Sequence, residues 1–333
     1  MSPTHDLPGA PPGPSPQERP ARPAAHLSAP AYVLGEQETD HSALPGLEER
    51  ARRLEMQPNA RLWGWGTVHR TTRSLEELAV ESGRRTLAEA GADPASIDCL
   101  ILCSTRFPGG PSTHGALVRT VMAGLGLGSG TAFTGITLNR CTNLLTALRT
   151  AEALVAAGQY RRVLVITTDR VTDEAERMES FALFSDGAAS CLVGTEPLGE
   201  NAYGVVAGAT AQDPDALDWS SEISSDLARA VNDRILADAG MKLGDIHGLL
   251  HLNLFKPVVV LKERQAGFAK DQLYLDNITR FGHCFAADPL INLVDRAAGG
   301  GVRPDGHYLL AAAVPGVRVG VLLHKPADRE VRS

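Results

Sequence analysis

The chain has 333 residues, 43% of them apolar, and a formal net charge of −7. That length suits one large domain or two ordinary ones, and the apolar fraction is that of a globular protein. The negative balance gives no basis for nucleic-acid binding, although it leaves room for a local basic patch toward a phosphate-bearing ligand.

Residues 1–30 carry Pro3, Pro8, Pro11, Pro12, Pro14, Pro16, Pro20, Pro23 and Pro30. Such a segment buries too little apolar surface to order itself, so it is expected to be a disordered tail without catalytic duty. It has no apolar core of the signal-peptide kind, and no stretch approaches the ~18 apolar residues that span a bilayer. Five scattered cysteines, Cys99, Cys103, Cys141, Cys191 and Cys284, form neither a disulfide framework nor a zinc spacing. A reducing, cytoplasmic setting without membrane attachment is the expectation.

In chain order, Ser74-Leu75-Glu76-Glu77 is a capping box, and a helix is expected from there to Gly91. Ile97–Ser104 reads as a buried strand with Cys99 and Cys103 in the core. Thr113–Leu125 reads as a helix, and Thr131–Leu138 as extended chain. Gly124, Gly126, Gly128 and Gly130 lack the spacing of a dinucleotide loop and read as a turn. The run from Cys141 to Gly158 is apolar on nearly every side, so it should be a central helix. Val163–Thr167 is a continuous apolar strand, of the kind covered on both faces. Phe181–Gly194 contains Leu183-Phe184-Ser185-Asp186-Gly187-Ala188 and a further strand. The second half repeats the logic: a helix over Asp226–Ala239, a strand over Ile246–Leu252 reaching His251, and a helix over Val258–Phe268. A helix from Asp288 to Ala297 and strands over Tyr308–Val314 and Val317–His324 close the chain. Strand–helix alternation in two comparable halves predicts an α/β fold with a duplicated core, split near residues 31–200 and 201–333.

Cys141 is the leading chemical candidate, because a thiol at a helix N-terminus is favoured as the thiolate, the nucleophile of acyl chemistry. His251 and the cluster Gly282-His283-Cys284 with Asp288 follow downstream. No metal set is expected, since His247, His251, His283 and His307 lack ligand spacing with acids or thiols.

Over about residues 60–326 these segments resemble the ketosynthase III (β-ketoacyl-ACP synthase III) group of the thiolase superfamily. That family implies a duplicated five-layered α-β-α-β-α core. It places the nucleophile at Cys141 and a catalytic histidine at His251, with Asn253 and Lys256 beside it. Its leucine-phenylalanine-glycine-aspartate-glycine-alanine landmark matches Leu183–Ala188 with Ser185 in place of glycine. Its oxyanion donors fall on the backbone amides of Cys141 and Gly316. His283 stands where the family has a catalytic asparagine. A histidine followed five residues later by aspartate is similar to an acyltransferase branch found in specialised metabolism, where a Cys-His-Asp set is used.

The resemblance implies an acyltransferase that takes an acyl group from coenzyme A or an acyl carrier protein and delivers it to a small-molecule hydroxyl, amine or thiol acceptor. The thioester is substrate, so no cofactor is implied, and a homodimer is. Two alternatives stay open: decarboxylative condensation with a malonyl thioester, and a non-catalytic partner subunit. Asp288 reads either as the group orienting His251 or as a helix cap before Pro289, or as both. His283 reads either as a third catalytic group or as a spacer. Lys256, Arg70 and Arg73 are candidates for phosphate or phosphopantetheine contacts. Trp65, next to Trp63, is a candidate for adenine stacking or for packing.

Overall fold

The computed structural model describes residues 25–217 and 224–327. In chain order the elements are β1 His26–Leu34, β2 Gln37–Asp40, α1 Leu47–Arg53, α2 Ala60–Trp63, β3 Thr67–Arg70, α3 Leu75–Ala90, β4 Cys99–Cys103, α4 Pro111–Leu125, β5 Ala132–Ile136, α5 Asn143–Ala156 and β6 Arg162–Asp169. There follow β7 Met178–Glu179, β8 Ala182–Leu183, β9 Gly187–Gly194, β10 Ala202–Gln212, α6 Ser225–Ala239, β11 Gly248–Leu250, α7 Lys256–Gln265, α8 Asp276–Arg280, α9 Asp288–Ala298, β12 Gly306–Val314 and β13 Val317–Lys325.

The duplication is visible in strand pairing. In the first half β5, β4, β6, β9 and β1 lie side by side, parallel across β5–β4–β6 and antiparallel across β6–β9–β1. In the second half β11 and β12 are parallel, and β12–β13–β10 are antiparallel. Where a counterpart of β5 would fall, there is a single parallel bridge, Leu249–Leu273. The halves join edge to edge through β1 and β10, which share three residue pairs, so nine of the described strands bond as one sheet, while β2–β3 and β7–β8 form two small separate pairs.

Helices complete five layers. α3 covers β1, β6 and β9 from outside, and α6 covers β10 and β13. α5 touches β4, β6 and β9 of its own half and also β12 and β13 of the other, while α9 reaches β1 and β9 as well as β11 and β12. Both therefore lie between the two halves. This is why the α5 segment has apolar residues nearly all round: Leu144, Leu145, Ala147, Leu148, Ala151 and Val155 are all buried.

The capping box forms as expected, with Glu77 N–H on Ser74 Oγ at 3.2 Å and Ser74 N–H on the Glu77 carboxylate at 2.7 Å. Cys99 and Cys103 are buried in β4, and Gly126 ends α4 in the left-handed conformation. One expectation needs correction. The tail was expected to reach residue 30, yet β1 begins at His26 and contains Pro30. Proline has no N–H to give a ladder, but the register of β1 against β9 shifts between Ser28 and Ala31, and a bulge tolerates the missing donor there. Residues 1–24 lie outside the described residues.

Candidate active site

Two equivalent turns, one from each half, meet in the middle layer. The turn Arg140–Thr142 precedes α5, and the turn Phe285–Ala287 precedes α9; the two are in contact. Each contains a non-glycine residue in left-handed backbone, Arg140 at φ 52° and Phe285 at φ 52°. Such residues persist only where their surroundings hold them, and they gather at functional sites. Asn143 holds the first turn. Its amide donates to Ser104 O at 3.0 Å and its carbonyl accepts from Asn139 N at 3.1 Å. Cys141 sits half-buried in this single 3-10 turn, two residues ahead of α5 rather than inside it.

The second turn carries His283 and Asp288. The Leu183–Gly187 motif is its brace: His283 N–H donates to Leu183 O at 2.8 Å, and Ser185 N–H donates to His283 O at 2.9 Å. Ser185, standing where the resembled family has glycine, donates its hydroxyl to Phe281 O at 2.5 Å and accepts His69 N–H at 2.8 Å. Its side chain thus pins the start of the same turn. The Phe184 ring lies 5.0 Å from the His283 ring, centroid to centroid.

Asp288 is fully buried, and its carboxylate collects three donors. Cys284 N–H reaches Oδ1 at 2.7 Å; Asn253 N–H reaches Oδ2 at 2.6 Å and His283 Nδ1 reaches it at 2.5 Å. The capping alternative does not hold. Asp288 is already helical, at φ −49° and ψ −45°, and its side chain makes no bond to the first turn of α9. Burial would lower the pKa of His283, but the charge and hydrogen bond of Asp288, and then Cys141, raise it to about 10. With Nδ1 on Asp288, Nε2 makes no hydrogen bond and is the nitrogen left free to serve the Cys141 thiol.

His251 is placed differently from the expectation. Asp288 does not orient it. Its Nδ1 faces Leu252 O at 3.0 Å, while Nε2 faces Lys262 Nζ at 2.9 Å, Arg318 Nη1 at 2.9 Å and Glu263 Oε1 at 3.0 Å. Arg318 grips Glu263 through two bonds, of 2.8 and 3.1 Å. Burial first, then the Lys262 charge, lower the His251 pKa to about 4. Burial also pulls Lys262 down to about 8. Glu263 stays well below the usual range, because Arg318 and Lys262 outweigh the burial that would raise it.

Gly316 forms a two-residue hairpin turn with Pro315 at φ 71°, and the Arg140 guanidinium donates to Pro315 O at 2.8 Å. That bond ties the Cys141 turn to the Gly316 turn. Asn253 is buried beside Asp288, with Asn292 Nδ2 on its side-chain oxygen at 3.0 Å. Of the other candidates, Trp65 packs in a core cluster with Met56, Val68 and Phe255, which is the packing alternative. Arg73 pairs with Glu81 at 2.5 Å. Lys256 opens α7, with its alkyl stem against Gly64. Arg70 pairs with Glu174 at 3.3 Å and lines a cleft of about 370 Å³ with Arg50, Arg53, Leu47 and Met178. Sequence reading missed Lys262, Glu263, Arg318 and Asn292. It also missed Asp169, a buried carboxylate pushed up to about 6 by burial, with one oxygen on Ser104 and Thr105 and the other unpaired.

The pattern described as 3-oxoacyl-[acyl-carrier-protein] synthase III matches residues 137–214, from the Cys141 turn through the brace. A β-ketoacyl-[acyl-carrier-protein] synthase III from Acidiphilium cryptum is 29% identical over 268 residues, covering 72% of this chain and 80% of that protein. The corresponding synthase of Rhodospirillum rubrum is 37% identical over 124 residues, and this chain spans 37% of that relative's length in the match. Among solved structures, an acyltransferase named ChlB3 superposes with a TM-score of 0.77 at 17% identity, covering 92% of this chain and 98% of that one. The Pseudomonas aeruginosa 3-oxoacyl-(acyl carrier protein) synthase III gives 0.75 at 18% identity, covering 92% and 99%. These likenesses establish the thiolase-like α/β fold. No group of His, Cys, Asp and Glu able to hold a metal ion occurs among the described residues, and no described helix is long and apolar enough to cross a membrane.

Proposed function

We propose that this chain is an acyltransferase working through an acyl-Cys141 intermediate, with His283 as its acid–base group and Asp288 as the partner of His283. The observation that carries this is the buried His283–Asp288 pair, bonded at 2.5 Å, beside a turn in contact with the one that holds Cys141. In the first half-reaction the thiol proton moves to His283 Nε2, and the thiolate attacks the carbonyl carbon of an acyl-CoA or acyl-carrier thioester. The oxyanion is met by the backbone amides of Cys141 and Gly316 and by the positive end of α5. The thioester C–S bond breaks, and the departing thiolate takes the proton back from His283. Having given that proton to the departing thiolate, His283 is left neutral and serves as the base for the second half. There His283 takes the proton of an acceptor hydroxyl, amine or thiol as it attacks the acyl carbon, then returns it to Cys141.

Decarboxylative condensation, the alternative reaction, would use a second imidazole N–H donor at the enolate. The Nδ1 proton of His251 is committed to Leu252 O, and its Nε2 to ionic neighbours. Heteroatom transfer, in a specialised biosynthetic setting, therefore fits the site better. The basic cleft at Arg70, Arg50 and Arg53 suits the phosphates of a coenzyme A or phosphopantetheine donor.

Intact-protein mass after incubation with acyl-CoA thioesters, malonyl-CoA included, tests this. A Cys141-dependent adduct that keeps any malonyl carboxylate is expected. An adduct on Cys141→Ala, or none from any CoA or carrier donor, would overturn it, and a decarboxylated adduct would favour condensation.

A homodimer is part of the proposal. Among the described residues β5 pairs only with β4, so its other edge is open there, and Phe133 is 56% and Leu138 91% exposed. An open edge with apolar side chains is a template for a second strand of the same kind. Sedimentation should give a dimer for the wild type and a folded monomer for Phe133→Glu/Leu138→Glu; a monomeric wild type would refute the assembly.

A further inference from the structure

The histidine at position 251 is buried, ordered and surrounded by charge, yet the proposed reaction makes no use of it. Its tautomer follows from its neighbours. Leu252 O can only accept, so Nδ1 carries the proton. Nε2 is enclosed by Lys262 Nζ and Arg318 Nη1, each 2.9 Å away and able only to donate, and by Glu263 Oε1, 3.0 Å away and able only to accept, so the cluster engages this nitrogen whichever state the ring holds. Glu263 balances part of that charge through its two bonds to Arg318. Lys262, Glu263 and Arg318 are 4%, 0% and 1% exposed, so water does not compete for these contacts. A ring nitrogen enclosed by three buried charged groups is unavailable to an acceptor hydroxyl.

What His251 does touch leads back to the reacting groups through the chain. The segment it opens runs to Asn253, whose N–H lies 2.6 Å from Asp288 Oδ2. Asn292 pins the same segment by donating to His251 O at 2.7 Å and to Asn253 Oδ1 at 3.0 Å. Thus α7 and β13 hold the imidazole ring, the ring and Asn292 hold residues 251–253, and Asn253 presents its amide to the carboxylate that partners His283.

We propose that His251 is a positioning residue, locked by Lys262, Glu263 and Arg318 so that the Asn253 amide stays on Asp288. The inference rests on the Cys141–His283–Asp288 reading above. It assigns His251 a task opposite to proton transfer, because the ring works by keeping both nitrogens occupied.

The test is the pH dependence of Cys141 alkylation by iodoacetamide, read by mass in the full chain. The companion readout is acyl-transfer rate, with thermal unfolding to confirm folding. His251→Ala should raise the midpoint of the alkylation profile by about one unit, a tenfold loss of thiolate below it. His251→Gln, whose carbonyl oxygen can sit where Nε2 accepts from Lys262 and Arg318, should restore most of that shift and most of the transfer rate. Glutamine cannot act as a base near neutral pH. If His251→Gln is folded, has a wild-type alkylation profile and still loses transfer as deeply as His251→Ala, then His251 is a base and the inference fails. An unshifted profile in His251→Ala would also overturn it. His283→Ala in the same assay tests the parent reading separately: if that variant leaves the alkylation profile unmoved, the Cys141–His283 pairing itself is wrong.

Discussion

His283→Ala should slow acylation of Cys141 by about 10²–10⁴-fold, the range set by loss of a positioned proton acceptor. Stopped-flow release of coenzyme A from an acyl-CoA that labels the wild type would measure it. Asp288→Asn should fall in the same direction, because its amide cannot hold the imidazolium as a carboxylate does. A His283→Ala variant that acylates at the wild-type rate would remove His283 from the chemistry. The same residue sets a stability profile. Its folded pKa of about 10 lies above the unfolded value of 6.5, so its stabilisation is complete below about pH 6.5 and is lost as pH rises through about 10. The gap in Tm between wild type and His283→Ala should therefore be widest at and below neutral pH, and should close toward pH 10. A gap that widened with pH would contradict the Asp288–His283 pairing.

Glu263→Gln should be the most destabilising conservative substitution in the second half. It removes the one carboxylate between Arg318 and Lys262 and leaves two buried cations facing a neutral amide. Breaking a buried pair from one side costs about 3–5 kcal/mol, far more than losing an exposed one. Calorimetry should show a Tm drop of about 5–10 °C at neutral pH. The loss should shrink as pH rises toward about 8, because without Glu263, whose charge raises the Lys262 pKa, Lys262 sheds its proton below the value of about 8 that it has beside that carboxylate. An exposed pair such as Arg52–Glu48 is the control, and removing it should change Tm little. A Glu263→Gln variant as stable as wild type would mean that the cluster is not closed in solution.

Much of this architecture was legible in the sequence because it is local. The Ser74–Glu77 capping box, the all-round apolar face of α5 and the continuous apolar run of β6 each state their own environment within a few residues. The pairing of His283 with Asp288 was half legible. The spacing of five put both on one turn, but Asp288 followed by proline also looked like a helix start, and only the φ and ψ of Asp288 separate the two. Assigning Asp288 to His251 failed for a non-local reason. What occupies His251 comes from α7 and β13, eleven and 67 residues further along the chain. One signal was present: Arg318 interrupts the apolar run Val317–Leu323, and a charge in the middle of a buried strand demands a partner. The start of β1 was hidden because Pro30 and its neighbours look like tail, and the bulge that accommodates them exists only once β9 is beside them.

The two turns that meet at the site occupy the same place in the two halves, each just ahead of a middle-layer helix, α5 in one and α9 in the other. A half-length ancestor pairing with its own copy would have set two identical turns face to face. It would have had to carry thiol and imidazole on one turn, with two half-built sites competing for the same space. Fusing the copies into a single chain freed each turn to specialise, one toward attack and the other toward proton handling. On that view Cys141 and His283 stand on two copies of one turn whose labour has been divided.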